Sequence, residues 1–271
     1  MPIVNFLQYR QHDEARTHAN NAIMALLAGS HLASHTLQLT VGSESLLPQI
    51  FPQVPHIRRF NLETSTARTL LVDAELHLGA MAVPYVLAIH EDFGNTCLKL
   101  LGERARKAAT LHDALSQRIS GINWGPHQGA FQIARVLRNS LIHTGGRVEQ
   151  QAIREFGDFV DTAGRAEWIR LAGRDPLTLQ VGDRVTFAHG EVVATLSATH
   201  NLAKTINFGL QSALPRATWA RIVIEDIEIS EPGHLRHHQR LRKCVGYARY
   251  LYGPLALTDA EIQQALTNCG Y

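Results

Sequence analysis

Residues 134–146 read ARVLRNSLIHTGG, an apolar helical run that carries Arg138, Asn139 and His143 into its last turns and stops at two glycines. At about 100° per residue, Ile133, Ala134, Leu137 and Leu141 fall on one side. The spacing therefore predicts a helix from about Ala130 to His143 with that stripe buried. Asn139 and His143 are four apart and share a flank outside it. Arg138 lies about 140° round from His143, so within one helix the two do not point at one spot. A long arginine narrows that gap, and a second copy of the helix closes it more naturally. In a two-fold dimer His143 of one chain faces Arg138 of the other.

These side chains suit a phosphate. Arginine offers permanently charged, planar donors that match phosphate oxygens. Histidine titrates near neutrality and moves a proton in either direction. Asn139 can hold the imidazole or a substrate group. The 2′-hydroxyl of RNA is an internal nucleophile, so a histidine base with arginine stabilisation of the pentacoordinate phosphorus suffices to begin cleavage. A plainer alternative stays open: basic residues favour the last turn of any helix, and a glycine commonly ends one.

Outward from this stretch the pattern is mainly helical. Residues 13–40 read as one amphipathic helix or two short ones, and 46–64, with three prolines, as a surface connection. A long apolar periodicity over 66–89 contains Pro84, which predicts a kink or break there. A second helix is expected over about 92–120, closed by GINWGPHQG, and another over 147–171. The period then shortens. TLQVGDRVTFAHGEVVATL, with Gly182-Asp183 and Gly190, predicts a small β-hairpin. Helical spacing returns over 192–214, and ARIVIEDIEI at 220–229 reads as a short strand. A basic helix over 232–252 and a last one over 258–267 follow, the latter opened by the capping-box pattern Thr258-Asp-Ala-Glu261.

The bulk composition is that of an ordinary well-buried globular protein: 271 residues, 45% hydrophobic, 18% charged and a formal net charge of +2. So small a net charge leaves nucleic-acid binding to local patches. Three scattered cysteines, Cys97, Cys244 and Cys269, without a C-x-x-C pair, indicate neither a disulfide framework nor a thiolate zinc site. The N-terminus lacks the charged start and apolar core of a signal peptide, and no apolar run is long enough to span a bilayer. The expectation is a cytoplasmic protein with no membrane attachment and no cofactor.

Arg138-Asn139-Ser140-Leu141-Ile142-His143 matches the Arg-Asn-x-x-x-His signature of the HEPN superfamily, and LRNSLIHTGG resembles many of its members. The order around it is similar too: long amphipathic helices before (66–120), then Gly146-Arg147-Val148, a helical spacer, and VGDRVTFAHGEV before another helix. The resemblance covers about residues 65–212 and not obviously the first 60 or last 55. It implies a HEPN-like helical bundle over 65–214, with the small hairpin inserted and extra helices at 1–64 and 215–271. It also implies a homodimer in which two motifs share a cleft, and a metal-independent endoribonuclease leaving a 2′,3′-cyclic phosphate and a 5′-hydroxyl. Arg138 and His143 are then the catalytic pair and Asn139 the polar helper. Bacterial defence or toxin systems, with an antitoxin or defence partner protein, are the implied setting. Some members keep the fold and bind rather than cut, which leaves a catalytically inactive RNA-binding or protein-interaction regulator as the alternative.

Other candidates are weaker. Asp73 and Glu75 sit where a carboxylate could support the motif if the helices pack together, though such positions are usually solvated. His31 and His35 have the spacing of two zinc ligands but lack the glutamate of H-E-x-x-H and an obvious third ligand. His90-Glu91-Asp92 reads as a polar helix end, and Trp124, Trp168 and Trp219 as packing anchors. The basic run 233–253 offers Arg236, Arg240, Arg242, Lys243 and Arg249 with interleaved Tyr247, Tyr250 and Tyr252 as an RNA-tracking surface. Against that, Leu235, Leu241, Val245, Ala248 and Leu251 would bury one face, and EDIEISE could neutralise the other.

Overall fold

A computed structural model of the chain describes residues 2–43, 45–54, 56–59, 61–159, 162–233 and 239–271. A single helix, α1 (Leu7–Gln38), fills the first amphipathic stretch, burying a narrow line of Tyr9, His12, Ala19, Ile23, Ser30 and Leu37. The proline-rich connection holds a one-turn α2 (Leu47–Ile50) and leads to α3 (Thr64–Val72). The long periodicity does break, but at Asp73 rather than at Pro84. There α3 turns by 57° into α4 (Ala74–Leu100), which carries Pro84 inside it. Val83, Val86 and Leu87 are buried on either side of that proline, and their packing outweighs the lost backbone bond.

The helix expected over 92–120 is two. Gly102, at φ 78°, ends α4, and Asn95 holds the following loop by accepting from the Arg106 N–H at 2.7 Å and donating to its carbonyl at 3.1 Å. Next come α5 (Ala108–Arg118) and α6 (Pro126–His143), the helix of the opening motif. The stretch 147–171 divides into α7 (Gln150–Phe159) and α8 (Thr162–Ala172). α9 (His189–Ala213) and α10 (Arg216–Ser230) follow. α11 (Arg240–Leu251) and α12 (Asp259–Asn268) complete the order, and Thr258 and Glu261 form the expected capping box.

Two expectations fail. The hairpin at 179–190 is absent, and no strand occurs among the described residues. Gly182 and Asp183 do close a turn, with the Asp183 N–H bonded to the Gln180 carbonyl at 3.1 Å. The short arm before that turn, 179–181, follows directly on a 3-10 turn at Pro176–Thr178 and is not paired with the arm after it among the described residues. The turn and that second arm pair instead with the residues after α6: Gly182 N–H to Val148 O, Val148 N–H to Asp183 O, and Val185 N–H to Gly146 O, at 2.8 to 2.9 Å. The expected strand at 220–229 is part of α10. Trp219, Val223, Asp226 and Ile227 recur at helical spacing on a buried face, and Arg221 pairs with Glu225 four residues on. That packing overrides the few tenths of a kcal/mol by which β-branched residues disfavour a helix.

α4 and α9 form the centre. α1 lies on α4, α6 on α8 and α9, and α10 on α11 and α12. One hydrophobic cluster runs from Val4 through Phe131 and Trp168 to Leu266, so 1–64 and 215–271 share a core with the middle of the chain. Trp124, Trp168 and Trp219 are all buried in it. The segment before α1 is seated by Asn207 of α9, whose amide accepts from the Val4 N–H at 3.1 Å and donates to its carbonyl at 2.7 Å. Arg10 then reaches the buried Asp226 at 2.9 Å, where Tyr247 and Tyr252 also donate. No single helix among the described residues is long and apolar enough to cross a membrane; α3 and α4 reach that length together only across their bend.

Candidate functional site

α6 starts at Pro126, which cannot donate a backbone hydrogen bond and so suits the first helical position. From Gly129 to Leu137 every residue is buried, including Gln132 and Arg135 on the side opposite the expected stripe. The helix is therefore enclosed on all sides over its middle, Gly129–Leu137, and is partly exposed at both ends. There the Gly146 N–H bonds the Ser140 carbonyl at 3.1 Å, with Gly145 and Gly146 at φ 65° and 79°. Such a glycine ending satisfies carbonyls that the helix leaves free. Thr144 Oγ1 donates to the same Ser140 carbonyl at 2.9 Å.

Asn139 and His143 line a small groove of about 170 Å³, with Val136, Ser140 and Thr144 on α6 and Glu149, Gln151, Ala152 and Glu155 from the start of α7. Among the described residues neither the Asn139 amide nor the His143 imidazole has a hydrogen-bond partner. His143 is exposed and stands where the helix dipole favours a positive charge. The groove floor is organised by Glu155, which accepts from the buried Arg135 at 2.8 Å and from Gln151 at 2.9 Å.

Arg138 does not line this groove. It leaves α6 on another side and donates to Glu91 of α4 at 2.7 Å, both side chains being about a fifth to a quarter exposed at 20% and 25%. Its Nε is buried and has no hydrogen-bond partner among the described residues. The structure thus brings Asn139 and His143 together and holds Arg138 apart from them, as the helical angles require.

Asp73 and Glu75 are exposed at the junction of α3 and α4, and among the described residues neither pairs with Arg138 or His143. The carboxylate that meets Arg138 is Glu91, whose neighbour His90 points inward. Sequence alone gives no register between α4 and α6, so Glu91 carried no signal as a partner. Arg236 lies outside the described residues. Arg242 and Lys243 are exposed on α11, Arg240 is half-buried, and Arg249 pairs with Asp259 at 3.2 Å. Of the interleaved tyrosines, Tyr247 and Tyr252 are tied to Asp226, and Tyr250 alone projects, 83% exposed. Cys244, Val245 and Ala248 bury the other face, while Asp226 forms its ion pair with Arg10 and takes only the Tyr247 hydroxyl from α11. His31 and His35 are exposed, and among the described residues no three His, Cys, Asp or Glu side chains converge so as to hold a metal ion.

Behind Glu91 lies a buried set of imidazoles. His90 and His112 meet Nε2 to Nε2 at 3.0 Å, between Phe131 and Trp124, and His12 packs edge-on to His90. Both Nδ1 atoms of the bonded pair are without partners. Burial holds His112 down to about 3, and burial with the nearby Arg16 holds His12 down to about 4. His90 is also far below its ordinary range, through burial first and the two other histidines second. All three are neutral packing groups at physiological pH.

No family model, curated protein or solved structure matches this chain.

Proposed function

We propose that the protein is a metal-independent endoribonuclease that acts as a homodimer, with each composite site taking His143 from one copy and Arg138 from the other. One observation carries this reading: the exit of α6 from the core presents an unbonded His143 and Asn139 at an open groove, while Arg138 faces elsewhere on the same helix. The resemblance of 138–143 to the HEPN motif supports it, and with it a HEPN-like core over 65–214 and a setting in bacterial defence or a toxin system, in the cytoplasm.

In this mechanism His143 Nε2 or Nδ1 accepts the proton of the RNA 2′-hydroxyl. The 2′-oxygen attacks the adjacent phosphorus, forming a new O–P bond as the bond to the 5′-oxygen breaks. The leaving oxygen takes a proton from water, and the His143 imidazolium returns its own to solvent. Arg138 donates to the non-bridging oxygens, whose charge rises in the pentacoordinate state. Asn139 orients the substrate or the ring. The substrate phosphate displaces Glu91 from Arg138, a modest demand because partly exposed ion pairs contribute about 1 kcal/mol or less.

The Arg138–Glu91 pair also favours a second reading, in which the arginine is committed to structure and the chain is a silent RNA-binding or partner-binding regulator. RNA cleavage in EDTA by wild type, Arg138→Ala and His143→Ala separates the two. The nuclease reading expects a loss of at least about a hundredfold in each variant. A mixed dimer of the two variants should regain activity, because one of its two composite sites keeps both groups. RNA left equally intact by all forms across varied substrates would favour the regulator.

A further inference from the structure

Just beyond His143 the chain turns through Thr144, Gly145 and Gly146, and Arg147 forms an isolated antiparallel bridge with Arg184. The bonds that frame it, Val148 N–H to Asp183 O and Val185 N–H to Gly146 O, leave the two arginines as a non-hydrogen-bonded pair. In that arrangement the facing Cα atoms are about 4.5 Å apart and the two side chains leave the ladder on the same face. Like charges set directly opposite destabilise a pairing, so two arginines here need an explanation. Both are exposed, and among the described residues neither has a carboxylate within ion-pair distance. Arg147 Nη1 is steadied on the Gly182 carbonyl at 2.9 Å, while the Arg184 side chain has no hydrogen bond among the described residues. The nearest acid in sequence, Asp183, is turned back on the Gln180 N–H at 2.8 Å. Glu149 and Glu155 line the groove of His143 itself and disfavour a phosphate on its floor; the arginines lie outside that lining.

We propose that Arg147 and Arg184 form a two-arginine clamp for an RNA phosphate next to the scissile one at His143. The anion removes the mutual repulsion of the guanidiniums, and the turn 144–147 fixes the clamp within a few residues of the imidazole. The idea rests on the reading of His143 as an RNA-facing group, and a binding measurement separates the two. Single-stranded RNA carrying 2′-O-methyl groups throughout cannot be cleaved by 2′-attack, so its affinity reports contact alone. With a fluorescent oligonucleotide of this kind, Arg147→Gln/Arg184→Gln should bind at least about tenfold more weakly than wild type at low salt. Its slope of log affinity against log salt should be less steep by roughly 0.7, the contribution of one neutralised phosphate on a single strand. Arg170→Gln/Arg221→Gln, exposed arginines paired with Glu167 and Glu225, should change neither. Arg184→Gln alone, which breaks no hydrogen bond, guards against misfolding of the double variant and should show about half the slope change. It should also raise Tm in low salt. An anionic peptide of equal charge should compete poorly.

Unchanged affinity and slope in the clamp variants, equal losses in the control pair, equal competition by the peptide, or no RNA binding by wild type would each overturn the clamp. Cleavage that is indifferent to Arg138 and His143, alongside loss of binding in the clamp variants, would remove the nuclease and keep the clamp. Cleavage that needs His143 with no clamp effect would do the reverse.

Discussion

Arg138 of α6 donates to Glu91 of α4 at 2.7 Å, and this bond ties the one helix bearing the phosphate-suited motif to the centre of the fold. Glu91 therefore competes with any anion for the arginine. Glu91→Gln should weaken the hold on Arg138 without removing it from the site. If the proposed nuclease reading holds, single-turnover cleavage should stay the same or rise severalfold, and unfolding free energy should drop by less than about 1 kcal/mol. A collapse of cleavage with the fold intact would mean that the carboxylate takes part in the reaction rather than restraining it.

The approach of Gly79 to the extended segment before α9 gives a second expectation. A Cβ on Gly79 would lie 2.0 Å from the Phe187 carbonyl oxygen, a backbone atom that cannot rotate aside. Gly79→Ala should therefore destabilise by about 2–4 kcal/mol, despite the better helix propensity of alanine. Urea unfolding measures it. Gly246→Ala on α11, where nothing lies within 4 Å, should instead be neutral or stabilising.

Asp226 is almost fully buried, and burial pushes its carboxyl up. Hydrogen bonds from Arg10, Tyr252 and Tyr247 more than offset this and hold it below the ordinary range. Asp226→Ala leaves Arg10 and two tyrosines without their acceptor, and should cost about 3–5 kcal/mol. Asp226→Asn keeps the shape and some of the bonds and should cost less. Limited proteolysis should find new cuts in α1 in the alanine variant; an unchanged cleavage map would show that α1 is held by its apolar contacts alone.

The three buried imidazoles set the acid limit of stability. Each ionises near pH 6.5 when unfolded but resists protonation when folded, His12 down to about 4 and His112 to about 3. Below pH 6.5 the unfolded chain binds more protons, so stability is complete above that pH and is lost as pH falls toward 4. The slope is at most about 1.4 kcal/mol per pH unit for each group. Denaturation midpoints between pH 7.5 and 5 check this. His112→Phe should flatten the slope, and an unaltered slope would assign the acid sensitivity elsewhere.

How far the sequence reveals this fold depends on whether local chemistry settled the question. Ile133, Ala134 and Leu137, followed by Gly145-Gly146, announced α6 and its end, and the angular separation of Arg138 from His143 followed from helix geometry alone. Thr258 and Glu261 announced α12 in the same way. The misread elements were decided by partners distant in sequence. Val223, Ile224 and Ile227 look strand-like until α12 is placed against them. Gly182-Asp183 looks like a hairpin turn until the free edge after α6 is known to supply the pairing. Glu91 was visible as a polar helix end, but only the packing of α4 against α6 makes it the partner of Arg138.

The seating of Val4 on Asn207 and of Arg10 on Asp226 joins positions 203 and 216 residues apart. On a ribosome, the first helix thus emerges long before these two polar anchors. Until residue 226 has left the exit tunnel, the amino end of α1 has only its apolar contacts with α4, and the core that buries α6 stays open beside it. If the chain cuts RNA as proposed, this order of synthesis withholds a finished site from the translating machinery that surrounds it. Nascent chains arrested before residue 226 should keep α1 open to protease, and chains arrested well beyond it should not.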